Sequence, residues 1–182
     1  MTNEDKNFTI LKKPFKEKIM QALKEKLLSL LIENARYDYT QLAYMAGADQ
    51  KDVELAVKEL EKDGVIVKYA TIIDAEKLAK RKVQAFIEVK VAPQKLRGFD
   101  SYAEEIYSFG EVKSLYLMSG SFDLAVFVEG DSLADIAKFI SEKLSIIEGI
   151  TSVQTSFILK KYKVEGQVTK PSKDNDRQII QA

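Results

Sequence analysis

The first 64 residues alternate apolar and polar side chains with the period of an α-helix, in three segments divided by short polar turns. The pattern predicts helices over residues 14–35, over residues 39–46, and between Asp49 and Gly64. Asp38 followed three residues later by Gln41 is typical of a capping box, and Gly47 suits the left-handed residue that ends a helix. Pro14 fits the first turn of the first helix. Two helices joined by a short glycine-containing turn predict a helix-turn-helix, although a small three-helix bundle that binds no nucleic acid fits the same pattern.

Beyond Gly64 the period changes from 3.6 to 2, which is typical of strands. The pattern predicts, in order, a strand over 83–91, a helix over 99–107, strands over 112–118 and 122–129, a helix after Ser132, and a strand over 150–162. The two middle strands are separated only by Ser119-Gly120-Ser121, so they form a hairpin. The second helix is expected to place on one face Leu133, Ile136, Ala137, Ile140 and Leu144.

This order of elements predicts an α+β protein: an N-terminal helix-turn-helix (three-helix) domain and a C-terminal ferredoxin-like βαββαβ sandwich. In such a sandwich both helices pack on one face of the antiparallel sheet, so the other face is free to pair with a second subunit. The predicted organisation is a helix-turn-helix domain with a basic N-terminal arm over 1–64, an extended linker over 65–82, a ferredoxin-like oligomerisation domain over 83–163, and a polar tail over 164–182.

The composition narrows the possible chemistry. The chain contains no cysteine and no histidine, which excludes thiolate nucleophiles, zinc–cysteine sites, iron–sulfur clusters and histidine-based catalysis or metal ligation. We therefore expect no enzyme, no metal and no cofactor. No apolar run reaches the roughly 20 residues that span a bilayer, and the N-terminus lacks the layout of a signal peptide. These features predict a cytoplasmic binding or regulatory protein without a membrane partner.

Several short fragments occur in an order and spacing that resemble the leucine-responsive/AsnC (feast/famine) transcriptional regulators, over roughly residues 20 to 163. In the helical half they are Gln41-Leu42-Ala43, Gly47-Ala48-Asp49 and Leu60-Glu61-Lys62-Asp63-Gly64-Val65-Ile66. In the second half they are Glu111-Val112-Lys113, Ser119-Gly120-Ser121-Phe122-Asp123 and Glu148-Gly149-Ile150, followed by Thr155.

The resemblance implies a homodimer joined through the sandwich domains, with octamers as a further assembly, that binds double-stranded DNA and a small effector, commonly an amino acid. Carried over residue by residue, it gives the effector-site candidates Ser119, Gly120, Phe122, Asp123 and Thr155. Asp123 would receive an α-ammonium group, and Gly120 would let the backbone approach the ligand. The alternative is that Gly120 serves only the hairpin and Asp123 caps a turn.

The third predicted helix departs from the family, whose members often carry arginine there. Residues 49–63 hold six acidic residues and three lysines, although DNA binding requires positive charge at the phosphates. At about 100° per residue, the apolar face is opposite a narrow stripe made by Lys51, Leu55, Lys58 and Lys62. Gln50 lies at the helix start, and its side-chain amide can contact adenine. The predicted DNA-binding residues are therefore Gln50 and the four residues of this stripe. The alternative is a solvated face on which Lys and Glu pair at i, i+4 spacing.

The lysines of the N-terminal arm, Lys12, Lys13, Lys16 and Lys18, would add affinity for the DNA backbone, or would serve only as a solubilising arm. The leading hypothesis is thus a ligand-responsive DNA-binding transcriptional regulator that senses an amino acid or a related metabolite. The alternative is a sandwich protein that senses a metabolite and modulates a partner enzyme without binding DNA. A catalytic relative of the family, a haem-pathway decarboxylase, would require histidines that this chain lacks.

Overall fold

The computed structural model describes the backbone of residues 3–92 and 98–169, and the side chains of the same ranges except residues 3–16 and Glu76. The chain divides into two compact units, Met1–Thr71 and Ile72–Ala182. The first is helical and the second is built around an antiparallel sheet, so the predicted α+β class is confirmed.

The first unit consists of three helices, α1 (Asn3–Glu33), α2 (Tyr39–Ala46) and α3 (Gln50–Lys62). The first helix begins at Asn3 and not at Pro14, so the predicted start was wrong. Lysine, glutamate and leucine on both sides of Pro14 favour the helix and extend it past the proline, at the loss of one backbone hydrogen bond. The side chains of the predicted arm lysines Lys12, Lys13 and Lys16 lie outside the described residues.

Capping fixes the turn between α2 and α3. The Gln41 amide donates to Asp38 Oδ1 at 2.8 Å, and the Asp38 amide donates to Gln41 Oε1 at 3.0 Å, which confirms the predicted capping box. Gly47 ends α2 with φ of 69°, in the left-handed region. Asp49 Oδ1 accepts a hydrogen bond from the Lys51 amide at 2.8 Å and starts α3. These caps join two short helices tightly, as a helix-turn-helix requires.

The core of the first unit lies between the three helices. Its buried side chains are Leu27, Leu31, Leu42, Val53, Ala56 and Val57. The apolar side of α3 is buried throughout, from Val53 to Leu60. The opposite side of α3 is therefore the side that α1 and α2 leave to solvent.

The second unit has the predicted βαββαβ order. Its main elements are β1 (Val83–Val91), α4 (Phe99–Tyr107), β2 (Val112–Leu117), β3 (Leu124–Gly130), α5 (Leu133–Phe139) and β4 (Ile150–Phe157). The strands form one antiparallel sheet in the order β2-β3-β1-β4. Within the described residues α4 and α5 bury their apolar sides, including Tyr102, Ile106, Ile136 and Phe139, against the same face of this sheet.

Three boundaries differ from the predictions. The β2–β3 loop covers residues 118–123, because Leu117 pairs with Leu124. The last strand of the sheet ends at Phe157 and not at residue 162. The start of the predicted tail instead forms a small hairpin, β5 (Lys163–Val164) and β6 (Gln167–Val168). Its turn is tight because Glu165 and Gly166 both have positive φ, 46° and 79°. Residues 170–182 lie outside the described part of the chain.

The second helix of the sandwich buries part of the predicted set of side chains. Ile136 and Leu144 are buried and Ile140 is half-buried, as predicted, whereas Leu133 and Ala137 are exposed and Phe139, outside the predicted set, is buried. A single π-helical turn, Ile140–Leu144, follows α5 and widens the spacing, so that Leu144 is the next buried residue after Phe139. A regular period of 3.6 cannot predict this shift.

Candidate DNA-binding and effector sites

The exposed side of α3 carries the residues predicted to bind DNA. Lys51, Leu55, Lys58 and Lys62 are all exposed, opposite the buried apolar side. Gln50 precedes them, and its Oε1 accepts a hydrogen bond from Thr40 Oγ1 of α2 at 3.4 Å. The structure therefore places four of the predicted side chains on one solvent-facing stripe of α3. This surface, called the lysine stripe, consists of Lys51, Leu55, Lys58 and Lys62.

Three acidic residues beside the lysine stripe, Glu54, Glu59 and Glu61, have partners in the protein. Glu54 Oε1 lies 2.6 Å from Lys58 Nζ, at i, i+4 spacing as in the alternative interpretation, and this hydrogen bond raises the pKa of Lys58. On the other flank of α3, Glu59 pairs with Lys24 of α1 at 2.8 Å. Glu61 Oε1 accepts a hydrogen bond from the Tyr69 hydroxyl at 2.8 Å. Burial, and then this hydrogen bond, raises the pKa of Tyr69 to about 12. Three carboxylates that would face phosphates alone thus have partners in the protein.

Sequence reasoning missed Lys24 and Tyr69. Lys24 is on another helix, and Tyr69 was assigned to the extended linker, so spacing along α3 carries no signal for either. Both contacts depend on the packing of the first unit.

The β2–β3 loop, residues 118–123, is anchored to the central strand by Asp123. Asp123 Oδ2 accepts a hydrogen bond from the Val91 amide at 2.8 Å, and the Asp123 amide donates to the Val89 carbonyl at 3.0 Å. Val91 follows a register shift between β1 and β4, and the carboxylate satisfies its amide there. One oxygen of Asp123 therefore has a structural role, although it ties the loop to β1 and does not cap a turn as the alternative interpretation stated.

The other effector candidates are dispersed. Ser119 and Gly120 are exposed in the loop, and the Phe122 ring lies 5.9 Å from the Phe86 ring, edge to face. Thr155 is on the edge strand β4 opposite Ile87, a residue buried beneath the helices. Phe86 and Ile87 point to opposite faces of the sheet. One protomer therefore brings Ser119, Gly120, Phe122 and Asp123 together but leaves Thr155 on the other face.

Gly120 has no conformational need to be glycine. Its φ is not positive, and a Cβ built there would have no atom within 4 Å. Alanine at position 120 would therefore not strain the hairpin, and a role for Gly120 would come from ligand approach alone.

The sheet face opposite α4 and α5, here called the open face, carries an aromatic cluster. The Phe86 and Phe127 rings are 5.1 Å apart, and Tyr116 meets Phe127 edge to face at 6.0 Å. Tyr116 is 55% exposed. The sequence signal for this cluster is the presence of aromatic residues at the outward-facing positions of neighbouring strands.

Among the described side chains, those of residues 17–75, 77–92 and 98–169, no three acidic groups come together in a way that could hold a metal ion. No helix in that part of the chain is long and apolar enough to cross a membrane.

The chain combines a helix-turn-helix, in which one side of α3 is exposed, with a βαββαβ sandwich. This combination is typical of two-domain transcriptional regulators. Residues 84–168 match the family model described as the Lrp/AsnC ligand binding domain. The uncharacterized HTH-type transcriptional regulator YugG of Bacillus subtilis is 44% identical over 155 residues, which covers 85% of this chain and 93% of that protein. The HTH-type transcriptional regulator LrpA of Pyrococcus horikoshii is 34% identical over 137 residues, 75% of this chain and 94% of that one.

Among solved structures, the transcriptional regulator NMB0573 of Neisseria meningitidis, in complex with L-Met, shares the fold. It has a TM-score of 0.61 and 24% identity, and the alignment covers 78% of this chain and 91% of that one. The chain belongs to the Lrp/AsnC family of HTH-type transcriptional regulators.

Proposed function

We propose that this regulator acts as a homodimer in the cytoplasm, binds double-stranded DNA through the lysine stripe of α3, and changes its DNA affinity when an amino acid binds beside the β2–β3 loop. The observation that carries the proposal is the division of α3 into a fully buried apolar side and an exposed lysine side. In a helix-turn-helix the second helix of the motif, here α3, enters the major groove. The exposed lysines of α3 therefore lie on the side of the motif that would face DNA.

A mobility-shift assay on duplex DNA taken from upstream of the gene tests the DNA part of the proposal. Because the contacts neutralise phosphates, binding should weaken steeply as salt rises from 50 to 200 mM. A duplex of unrelated sequence is the control. No shift at low salt would contradict DNA binding and would favour the alternative, a sandwich protein that modulates a partner enzyme.

The effector proposal is supported by the match to a ligand-binding domain and by the chemistry of the loop. Asp123 uses Oδ2 for the Val91 amide, so an incoming ammonium group would meet Oδ1. The relative from Neisseria meningitidis holds L-methionine, and a zwitterionic amino acid suits a carboxylate beside an exposed backbone at Ser119 and Gly120. Because Thr155 lies on the other face of the sheet, we propose that it contributes to the effector site of a neighbouring subunit.

Asp123→Asn should weaken amino-acid binding by about ten-fold to a hundred-fold, because a hydrogen bond to a charged group contributes about 1.5–3 kcal/mol. The asparagine carbonyl can still accept from the Val91 amide, so the free energy of unfolding should change little. Calorimetry with the twenty amino acids on both proteins measures the effect. Unchanged affinity for a ligand that binds the wild type would show that this carboxylate does not hold the ammonium group.

The dimer proposal rests on the open face. Phe86, Phe127 and Tyr116 form a half-exposed aromatic surface on a sheet whose other face is covered by α4 and α5. Large exposed apolar patches of this kind mark interaction surfaces, and two identical patches pair naturally about a two-fold axis. The open face of a second copy is therefore the proposed occupant.

Tyr116→Glu should shift the dimer toward monomer, because a dimer would have to bury the new carboxylate among aromatic rings. Tyr107→Glu is the matched control: Tyr107 is 58% exposed against 55% for Tyr116, but it lies on α4. Light scattering at micromolar concentration measures both. A monomeric wild type, or equal dissociation of the two variants, would contradict dimerisation through the open face.

A further inference from the structure

We propose that Glu54 is a specificity-determining residue: with Lys58 it recognises one C·G base pair of the operator, the carboxylate accepting from cytosine N4 and the ammonium donating to guanine. This inference rests on the proposed function, since it requires that α3 enters the major groove. It assigns to an acidic residue, omitted from the predicted DNA-binding set, a direct role in base recognition.

Glu54 lies between Gln50 and Lys58 on α3, so it enters the major groove if those two residues contact base edges. It lies four residues after Gln50 and four before Lys58, and residues four apart share one side of a helix. Its side chain is 42% exposed. A helix that brings Gln50 and Lys58 to base edges therefore brings Glu54 to the same groove.

An acidic side chain in that groove needs donors for both carboxylate oxygens. Lys58 Nζ already donates to Glu54 Oε1, so the requirement falls on Oε2. Without a donor there, the remaining charge would be desolvated close to the phosphates and would weaken binding to every sequence. The donors that base edges present in the major groove are the amino groups of cytosine and adenine. Glu54 Oε2 must therefore either oppose DNA binding in general or accept from one of these groups.

The pairing of Glu54 with Lys58 selects cytosine. The two charged groups are 2.6 Å apart, so an acceptor and a donor approach the groove side by side. The edge of a C·G pair presents two adjacent acceptors, guanine N7 and O6, next to the cytosine N4 donor. An A·T pair instead places its donor between two acceptors. The ammonium can bridge N7 and O6 while the carboxylate takes N4 only on a C·G pair.

Glu59 provides a matched control on the same helix. Its side chain is also 42% exposed, but it pairs with Lys24 of α1 at 2.8 Å and lies on the opposite flank of α3. Glu59→Gln and Glu54→Gln therefore remove the same charge from the same helix, and only Glu54→Gln removes the proposed base contact.

The experiment is a binding-site selection from a randomised duplex pool with the full-length wild type, Glu54→Gln and Glu59→Gln. Fluorescence anisotropy then measures affinity for the selected duplex with each of the four base pairs at every position, and thermal melting confirms that each variant is folded. We expect one position at which the wild type and Glu59→Gln prefer C·G over T·A by about ten-fold or more. Glu54→Gln should lose that preference or shift it to adenine, which glutamine reads.

Two results would overturn the inference. If Glu54→Gln raises affinity equally for all four base pairs at every position, Glu54 is only a repelling charge. If the wild type selects a sequence and Glu54→Gln selects the same one with the same preferences, Lys58 or another residue reads that base pair. A wild type that binds duplex DNA but selects no sequence would likewise contradict the inference, whereas a wild type that binds no duplex would overturn the proposed DNA binding itself, which is a separate outcome.

Discussion

Gly149→Ala should lower the free energy of unfolding by about 2–5 kcal/mol, from backbone strain and overpacking together. Gly149 has φ of 94°, a conformation that alanine rarely adopts, and an added Cβ would lie 2.1 Å from the hydroxyl of Tyr102. Tyr102 is 1% exposed and cannot swing into solvent. Chemical denaturation at one fixed protein concentration measures the change.

Gly120→Ala is the control for this substitution. It adds the same methyl group to the same domain, at a site with open space and no positive φ. Its free energy of unfolding should stay within about 1 kcal/mol of the wild type, since a compatible Gly→Ala change acts mainly on the unfolded chain. Equal stability of the two variants would contradict the packing of Gly149 against Tyr102.

Replacing Lys51 and Lys58 together with alanine should reduce DNA affinity at least about ten-fold at low salt, where each 1.4 kcal/mol is a factor of ten. The slope of log affinity against log salt should become less steep by about one to two, because each lysine that neutralises a phosphate contributes about one to it. Both side chains are exposed, so the fold should be retained. Anisotropy across a salt series measures affinity and slope together.

The double variant Lys161→Ala/Lys163→Ala is the matched control, because it removes the same net charge from exposed positions in the other unit. Its affinity should remain within about two-fold of the wild type. If the two double variants lose affinity equally, the effect is one of overall charge and the lysine stripe is not the contact surface.

Local signals predicted most of the fold. Asp38 with Gln41, Gly47, and the strict alternation in β1 each depend on residues close in sequence, and each has the predicted structure. The errors arise where distant packing decides. The π-helical turn after α5 makes Leu144 the next buried residue after Phe139. The left-handed pair Glu165 and Gly166 adds a hairpin to a segment whose sequence is that of a polar tail.

The candidate sites follow the same rule. The lysine stripe of α3 is a consequence of helical period alone and could be predicted. The Glu59–Lys24 pair could not, since it needs the packing of α1 on α3. The hydrogen bond from the Val91 amide to Asp123 could not be predicted either, since it depends on the register of β1 against β3, and register is a property of the assembled sheet.

Phe122 belongs to two surfaces at once. It is a residue of the β2–β3 loop, and its ring rests on Phe86, which also contacts Phe127 on the open face. Any ligand that displaces this ring therefore changes the surface on which a second subunit would rest, without a long path through the domain. Thermodynamic linkage makes the influence mutual: what the ligand does to subunit association, association does to ligand affinity by the same factor. In the proposed arrangement, effector binding and subunit association therefore share one side chain. An apparent dissociation constant for the effector then has meaning only at a stated protein concentration.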